Sequence, residues 1–131
     1  MNEDTLFTRI IKGDIPAHKI YEDELTLAFL DIFPIVRGHV LVIPKKQVDH
    51  LWDLPDMDYQ AVMATTKKVA LQLRKVLKTN RIGVKVEGTA VPHAHVHLIP
   101  FNDPEEFHIK SNHNETDHSE LARLAQELAF E

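Results

Sequence analysis

The sequence predicts an α+β domain in which an antiparallel five-stranded sheet packs against a long central helix. Two observations predict this class. Five short segments rich in β-branched or alternating apolar residues lie between turn signals, which is typical of strands. One long segment, 55–79, repeats apolar residues at three- and four-residue spacing, which is typical of an amphipathic helix. Because short turns join the strands, we expect antiparallel pairing with helices packed on the sheet.

The first half of the chain predicts a short helix followed by three strands. Asp4 can cap the helix and Gly13 can end it. Extended segments follow at 17–22 and 25–31, separated by a charged turn. A third strand, 39–43, begins after a glycine and is closed by a proline.

The second half predicts the long helix, two more strands and a last helix. Acidic residues lie at the start of the long helix and basic residues at its end, as the helix dipole favours. Ile82, Val84 and Val86 alternate with polar residues or glycine, and a tight connection should pair this strand with the segment that follows. Asp117 and Glu120 have the spacing of a capping box for the last helix.

Length and composition indicate one globular domain, residues 1–131. Hydrophobic residues make up 44% and charged residues 27% of the chain, as in ordinary globular proteins. The net charge of −5 provides no general attraction to nucleic acid or to an anionic membrane, so neither is an expected partner. Cysteine is absent, and we find no signal-peptide pattern or apolar run of membrane-spanning length, so we expect a cytoplasmic protein.

Residues 92–100 have the strongest chemical pattern. His93, His95 and His97 alternate strictly with apolar residues, so a strand here would place three imidazoles on one face. Neighbouring imidazoles gain little from packing and repel one another when protonated. A purely structural role for all three is therefore disfavoured.

Two chemical roles remain open from the spacing. Imidazole is a common zinc ligand, but the Cα atoms of His93 and His97 would lie roughly 13 Å apart on a strand. One ion could therefore bind two of the rings plus a ligand from elsewhere, but hardly all three. Alternatively, the rings could follow an extended anionic ligand such as a phosphate chain, as nucleophile, acid or donor. The linear spacing favours the phosphate interpretation.

The run His93-Ala94-His95-Val96-His97-Leu98-Ile99 resembles the motif of the histidine-triad (HIT) superfamily of nucleotide hydrolases and transferases. The first third of the chain also resembles this family, at residues 7–11, 15–17, 22–23, 28–32 and 38–45. The resemblance covers about residues 5–101 and leaves the polar tail and last helix, 102–131, outside it. It implies a small single-domain member with a HIT-like fold that forms a homodimer and needs no cofactor or metal.

The resemblance also implies a role for individual residues. His95 would be the nucleophile on the α-phosphorus, His97 would contact the non-bridging oxygens, and His93 and His39 would orient the site. Asp31 would accept hydrogen bonds from the ribose hydroxyls. The base pocket would be walled by an apolar set, for which composition alone favours ordinary core packing: Phe7, Ile10, Ile15, Phe29, Ile32 and Leu41.

The implied reaction is hydrolysis at the α-phosphate of a purine nucleotide phosphoramidate or dinucleoside polyphosphate, through a nucleotidyl-histidine intermediate. The chain departs from the family before the triad, where many members have a longer loop with a glutamine and often a serine. Residues 87–92 have neither, and Thr89 is the nearby hydroxyl that could substitute. The alternative function is therefore a nucleotide-binding or interaction module with little turnover.

Overall fold

A computed structural model, which describes residues 3–111 and 114–130, confirms the α+β class and the five-stranded antiparallel sheet. The strands are β1 (Lys19–Glu22), β2 (Thr26–Leu30), β3 (Val40–Pro44), β4 (Arg81–Lys85) and β5 (Val96–Phe101). The helices are α1 (Leu6–Ile11), α2 (Asp56–Leu77), α3 (Pro104–Phe107) and α4 (His118–Leu128), with a 3₁₀ turn at Leu51–Asp53. Among the described residues, no helix combines the length and apolarity needed to cross a membrane.

The strand order places one triad histidine, His97, on an interior strand of the sheet. The order is β1-β2-β3-β5-β4, and every neighbouring pair is antiparallel. The last strand along the chain, β5, therefore lies between β3 and β4. His97 on β5 faces Leu41 on one neighbour and Lys85 on the other.

The two faces of the sheet bury separate apolar clusters. On one face, alternate residues such as Val40, Val42 and Leu98 pack with the buried stripe of α2 and with α4. On the opposite face, Leu41 and its neighbours pack with Phe7 and Ile10 of α1, as the period of two along a strand requires. The histidine side of β5 shares this second face because His97 lies opposite Leu41.

Two helix ends differ from the sequence prediction by one or two residues. Thr5, not Asp4, is the N-cap of α1: its hydroxyl accepts a hydrogen bond from the Thr8 N–H at 3.1 Å. Asp4 instead pairs with Lys12 at 2.6 Å. Helix α2 ends at Leu77, two residues before the predicted end at 79, and its C-cap, Lys78, adopts the left-handed conformation (φ 57°).

The predicted histidine strand is wrong at its first half. Strand β5 begins at Val96, and residues 86–95 form an irregular connection, not a tight hairpin. The cause lies in the backbone hydrogen bonds. The N–H of His93 donates to the Val91 carbonyl at 2.8 Å, and that of Ala94 donates to Val48 at 2.7 Å, so neither joins the sheet. His93 and His95 are therefore not on a common strand face with His97.

The tail returns to the sheet and is more structured than expected. A short helix, α3, is stabilised by a capping box between Asp103 and Glu106. The ring of Phe107 lies against Gly83 of β4 so closely that a β-carbon there would collide with it. Asp117 is the N-cap of α4 as predicted, accepting from the Ser119 N–H at 2.8 Å. Glu120, the predicted partner in a capping box, instead pairs with Arg123 at 3.0 Å. The apolar side of α4 is buried.

Candidate active site

A cavity of about 520 Å³ opens beside the triad, a volume suited to a small-molecule ligand. Three parts of the chain line it. The β2–β3 connection contributes Asp31, Phe33, Ile35 and His39. Strands β4 and β5 and their connection contribute Lys85, Glu87, Gly88, Thr89, Ala90, His95, His97 and Ile99, and the tail contributes His108, Ile109, Lys110 and Ser111.

The cavity brings together some of the predicted site residues but not all of them. His95, His97, His39, Asp31 and Thr89 line it. The other predicted residues lie behind or beside this lining, namely His93, Phe7, Ile10, Ile15, Phe29, Ile32 and Leu41. The Thr89 hydroxyl donates to the Glu87 carboxylate at the rim of the cavity.

The hydrogen bond of His95 determines which ring nitrogen is free. Nδ1 of His95 lies 2.8 Å from the backbone carbonyl of His93, and a carbonyl oxygen can only accept. Nδ1 therefore carries the proton, and Nε2 retains its lone pair. The ring is 2% exposed, packed edge-on to Phe7 at a centroid distance of 5.0 Å. When Nε2 carries no proton, an imidazole fixed in this way can act as a nucleophile.

A second hydrogen-bond chain orients His97. The N–H of Ile35 donates to Nδ1 of His39 at 3.2 Å, which places the proton of His39 on Nε2. That Nε2–H donates to Nδ1 of His97 at 2.9 Å. Nε2 of His97 therefore carries a proton and can donate it in a hydrogen bond to an anion.

Burial keeps both of these rings uncharged. Desolvation, followed by the positive charge of Lys85 and the effect of His95, lowers the pKa of His39 to about 4. Desolvation, followed by the effects of His39 and His95, also lowers the pKa of His97 to about 4, although the carboxylate of Asp31 opposes this shift. At neutral pH the two imidazoles therefore provide hydrogen bonds without net charge.

Asp31 is held at the edge of the cavity with one carboxylate oxygen engaged. Oδ1 accepts from the Phe33 N–H at 2.8 Å, and Oδ2 lies 3.6 Å from Nε2 of His39. The backbone N–H of Asp31 donates to the His39 carbonyl at 3.0 Å, which fixes its position after β2. Oδ2 is available to accept from a ligand hydroxyl.

His93 is an interior residue with both ring nitrogens engaged. Its Nε2 lies 2.8 Å from the Pro44 carbonyl, to which it must donate. Nδ1 therefore accepts, and the Thr5 hydroxyl is its donor at 2.8 Å. The side chain is 0% exposed, and burial lowers the pKa of its ring. Its backbone carbonyl, in turn, holds His95.

The apolar set predicted to wall a base divides between the two core clusters. Phe7, Ile10, Phe29 and Leu41 are buried on the α1 face, with Ile15 packed against them. Ile32 lies apart and packs against the cluster on the α2 face. Ile15 and Ile32 are only partly buried and so keep surface that a ligand can contact.

One cluster has the spacing of a metal site. A nitrogen from His39, a nitrogen from His97 and an oxygen from Asp31 lie within 4.8 Å of one another. Two histidines and a carboxylate suit zinc. The sequence allowed two triad histidines plus a distant ligand, whereas this cluster takes one triad histidine and two residues from the β2–β3 connection.

Several lining residues were missed from the sequence. Phe33 and Ile35 follow Asp31 in a segment that reads only as a strand break at Pro34. Lys85 belongs, with Gly83, to the residues that alternate with Ile82 and Val84 along the strand next to the triad, a signal that could have placed it beside His97. The tail residues carry no such signal, because only long-range packing brings them to the cavity.

Comparison with known proteins agrees with this geometry. A family model described as the HIT domain matches residues 12–103. A Saccharomyces cerevisiae protein named adenosine 5'-monophosphoramidase is 37% identical over 128 residues, covering 94% of this chain and 79% of that one. A Schizosaccharomyces pombe protein of the same description is 38% identical over 99 residues, covering 72% of each chain.

A solved structure supports the same assignment. A HIT-like protein from Bartonella henselae, described as involved in cell-cycle regulation, superimposes with a TM-score of 0.85 at 29% identity. The match covers 98% of this chain and 96% of that one. On its fold, its histidine geometry and these matches, the chain belongs to the histidine-triad (HIT) family.

Proposed function

We propose that the protein is a nucleotide hydrolase that cleaves at the α-phosphate of a purine nucleotide phosphoramidate or dinucleoside polyphosphate. One observation carries the proposal. The Nδ1–H of His95 is bound to a backbone carbonyl, so the lone pair of Nε2 is available in a cavity lined by hydrogen-bond donors. The yeast relatives named adenosine 5'-monophosphoramidase support the phosphoramidate as substrate.

The proposed reaction has two displacements. Nε2 of His95 attacks the α-phosphorus, a P–N bond forms, and the bond to the amine or phosphate leaving group breaks with its electron pair. The leaving group takes up a proton from solvent. Water then attacks the phosphorus of the nucleotidyl-histidine and loses a proton to solvent, the bond from phosphorus to Nε2 breaks, and the imidazole regains its lone pair as the nucleoside monophosphate leaves. Nε2–H of His97 donates to a non-bridging oxygen as negative charge accumulates there. His39 and His93 hold these two rings in the required tautomers.

In the proposed nucleotide site, Oδ2 of Asp31 accepts from the ribose hydroxyls. The base is proposed to contact Ile15, in front of the buried wall of Phe7, Ile10, Phe29 and Leu41. Ile32, the other predicted base contact, packs against the cluster on the α2 face, so its contact with a base stays a prediction from the sequence. Thr89 lies on the phosphate side of the cavity. Residues 1–131 are proposed as a single domain, since the tail contributes to the cavity lining. A homodimer and a cytoplasmic location remain predictions from the sequence.

A single-turnover experiment tests the nucleophile. The protein is mixed with an adenylated amine carrying ³²P at the α-position and quenched with alkali. We expect protein-bound label that is stable to alkali and labile to acid, as a phosphohistidine-type adduct would be, and we expect none in His95→Asn. His50→Asn, a change at an exposed histidine, is the matched control. Full turnover by His95→Asn would overturn the mechanism.

A binding or interaction module with little turnover is the second candidate, favoured by the missing glutamine and serine before the triad. It predicts AMP binding without hydrolysis of adenylated amines or dinucleoside polyphosphates. The same labelled substrates therefore separate the two candidates: bound AMP with no product and no adduct supports the module.

A further inference from the structure

Two of the histidines that line the triad cavity contribute no positive charge to offset a bound phosphate. His39 and His97 are uncharged at neutral pH, and the lining includes two carboxylates, Asp31 and Glu87. A bound α-phosphate adds further negative charge. The described lining residues contain two lysines, Lys85 and Lys110, to balance it.

Lys85 is the lysine that the fold brings to the triad. It is directly opposite His97 in the antiparallel β4–β5 pair, and residues directly opposite share one face of a sheet with Cβ atoms about 4.5–5.5 Å apart. It is half-buried. Its charge lowers the pKa of both His39 and His97, so its field acts on the rings that would surround the phosphate. Lys110, by contrast, is an exposed residue of the tail.

The tail orients the ammonium group of Lys85. Nζ donates to the Phe107 carbonyl at 2.9 Å and lies 4.5 Å from the centroid of the Phe107 ring. Phe107 is itself fixed by Phe101, at a centroid distance of 5.3 Å, and by the close approach to Gly83. An ammonium has three donors, so the bond to Phe107 leaves two for a ligand.

We propose that Lys85 is a further catalytic residue, which contacts the oxygens of the α-phosphate in place of the glutamine and serine absent from the loop before the triad. Strand β4 aligns it with His97, and the carbonyl and ring of Phe107 fix its ammonium group beside the cavity that Lys85 lines. The tail that follows β5 is then part of the phosphate site, acting through Lys85. This inference rests on the proposed function for its phosphate ligand.

Comparing the affinities of AMP and adenosine by calorimetry tests the proposal, since the two ligands differ only by the phosphate. In Lys85→Met we expect AMP to bind about tenfold more weakly, the scale of one lost charged hydrogen bond, and adenosine to bind as in wild type. Lys85→Arg should retain most of the preference for AMP. Lys67→Met, an exposed change on α2, is the matched control and should alter neither affinity.

A second variant tests the role of the tail. Phe107→Leu keeps apolar volume near Gly83 but removes the ring that contacts Nζ of Lys85. We therefore expect a smaller loss of AMP affinity than in Lys85→Met and no loss of adenosine affinity. Thermal unfolding of each variant checks that it is folded. In the wild-type protein, salt should weaken the binding of AMP, because it screens the attraction between the ammonium group and the phosphate.

The outcomes separate this proposal from the proposed function. An unchanged ratio of AMP to adenosine affinity in Lys85→Met, or an equal loss for both ligands, overturns the assignment of Lys85. The assignment is also overturned if Lys110→Met lowers the ratio of AMP to adenosine affinity and Lys85→Met does not. Absence of hydrolysis by wild type overturns the proposed reaction but leaves the binding comparison valid.

Discussion

The hydroxyl of Thr5 lies 2.8 Å from Nδ1 of His93, so a buried hydrogen bond joins the N-cap of α1 to the histidine segment. Since the Pro44 carbonyl takes the proton of Nε2, the hydroxyl must be the donor. Gln47 fixes this corner by accepting from the Thr5 N–H at 2.9 Å and from the Thr8 hydroxyl at 2.6 Å. The carbonyl of His93 then orients His95. Thr5 is therefore a positioning residue for the proposed nucleophile.

Replacement of Thr5 by valine should lower both stability and turnover. The methyl group fills the space of the hydroxyl but leaves Nδ1 of buried His93 without its donor, which costs about 1–3 kcal/mol. We expect a lower kcat with nearly unchanged AMP affinity, because the misplaced group is the attacking ring. Denaturant unfolding and steady-state kinetics measure the two effects.

Thr5→Ser is the matched control, since it keeps the hydroxyl and should restore kcat. A Thr5→Val variant that loses stability but keeps full kcat would show that the Thr5 hydrogen bond serves the fold alone.

The lowered pKa values of His39 and His97 predict a loss of stability on acidification. The ordinary histidine pKa is 6.5 and the folded values are about 4, so between these pH values the unfolded chain binds protons that the folded chain does not. The free energy of unfolding should therefore fall as pH decreases from about 6.5 to 4, by at most about 1.4 kcal/mol per pH unit for each ring. Urea unfolding at a series of pH values measures this slope.

His97→Asn should reduce the dependence of the free energy of unfolding on pH. His50→Asn, a change at an exposed ring, should not. Equal slopes in wild type and His97→Asn would contradict the assignment of a buried, neutral His97.

Asp31→Asn should reduce the preference for ribose over 2′-deoxyribose. Asparagine can still accept from the Phe33 N–H through its oxygen, but the charged acceptor for a ribose hydroxyl is lost. We expect AMP affinity to weaken by about 1–3 kcal/mol and 2′-deoxy-AMP affinity to change much less. Calorimetry with both ligands, with exposed Asp14→Asn as control, measures the difference. Equal binding of the two sugars by wild type would remove Asp31 from this role.

Metal ions should be unnecessary for activity, and zinc should inhibit. The proposed displacement uses the lone pair of His95 and no ion, so activity should survive exhaustive treatment with EDTA. A zinc ion at Asp31, His39 and His97 would occupy the atoms assigned to ribose and phosphate contacts. Inhibition by micromolar zinc should therefore compete with AMP and weaken in Asp31→Asn. Activity lost in EDTA and restored by one equivalent of zinc would contradict the metal-free mechanism.

Local patterns were sufficient for most of the architecture. The apolar stripe of α2 and the alternation of β4 follow from the 3.6- and 2-residue periods, and the continuous apolar run of β3 is bounded by a glycine and a proline. All three patterns depend only on neighbouring residues. The HIT motif likewise depends on a short run of residues, so the family could be identified before any contact was known. The same alternation failed at His93 and His95, because the N–H of Ala94 bonds to Val48, a residue far away in sequence.

The sequence alone determined the strands, the long helix and the identity of the triad, since each is encoded by residues close together in the chain. Tertiary structure decided what each imidazole can do. The tautomer of His95 depends on the conformation of the connection before β5, and that of His97 depends on His39, which precedes the neighbouring strand β3. The position of Lys85 beside His97 and its bond to Phe107 arise only when β5 inserts between β3 and β4 and the tail folds back. Hydrogen-bond direction and burial are properties of these distant contacts, and they set the proton positions and charges on which the chemistry depends.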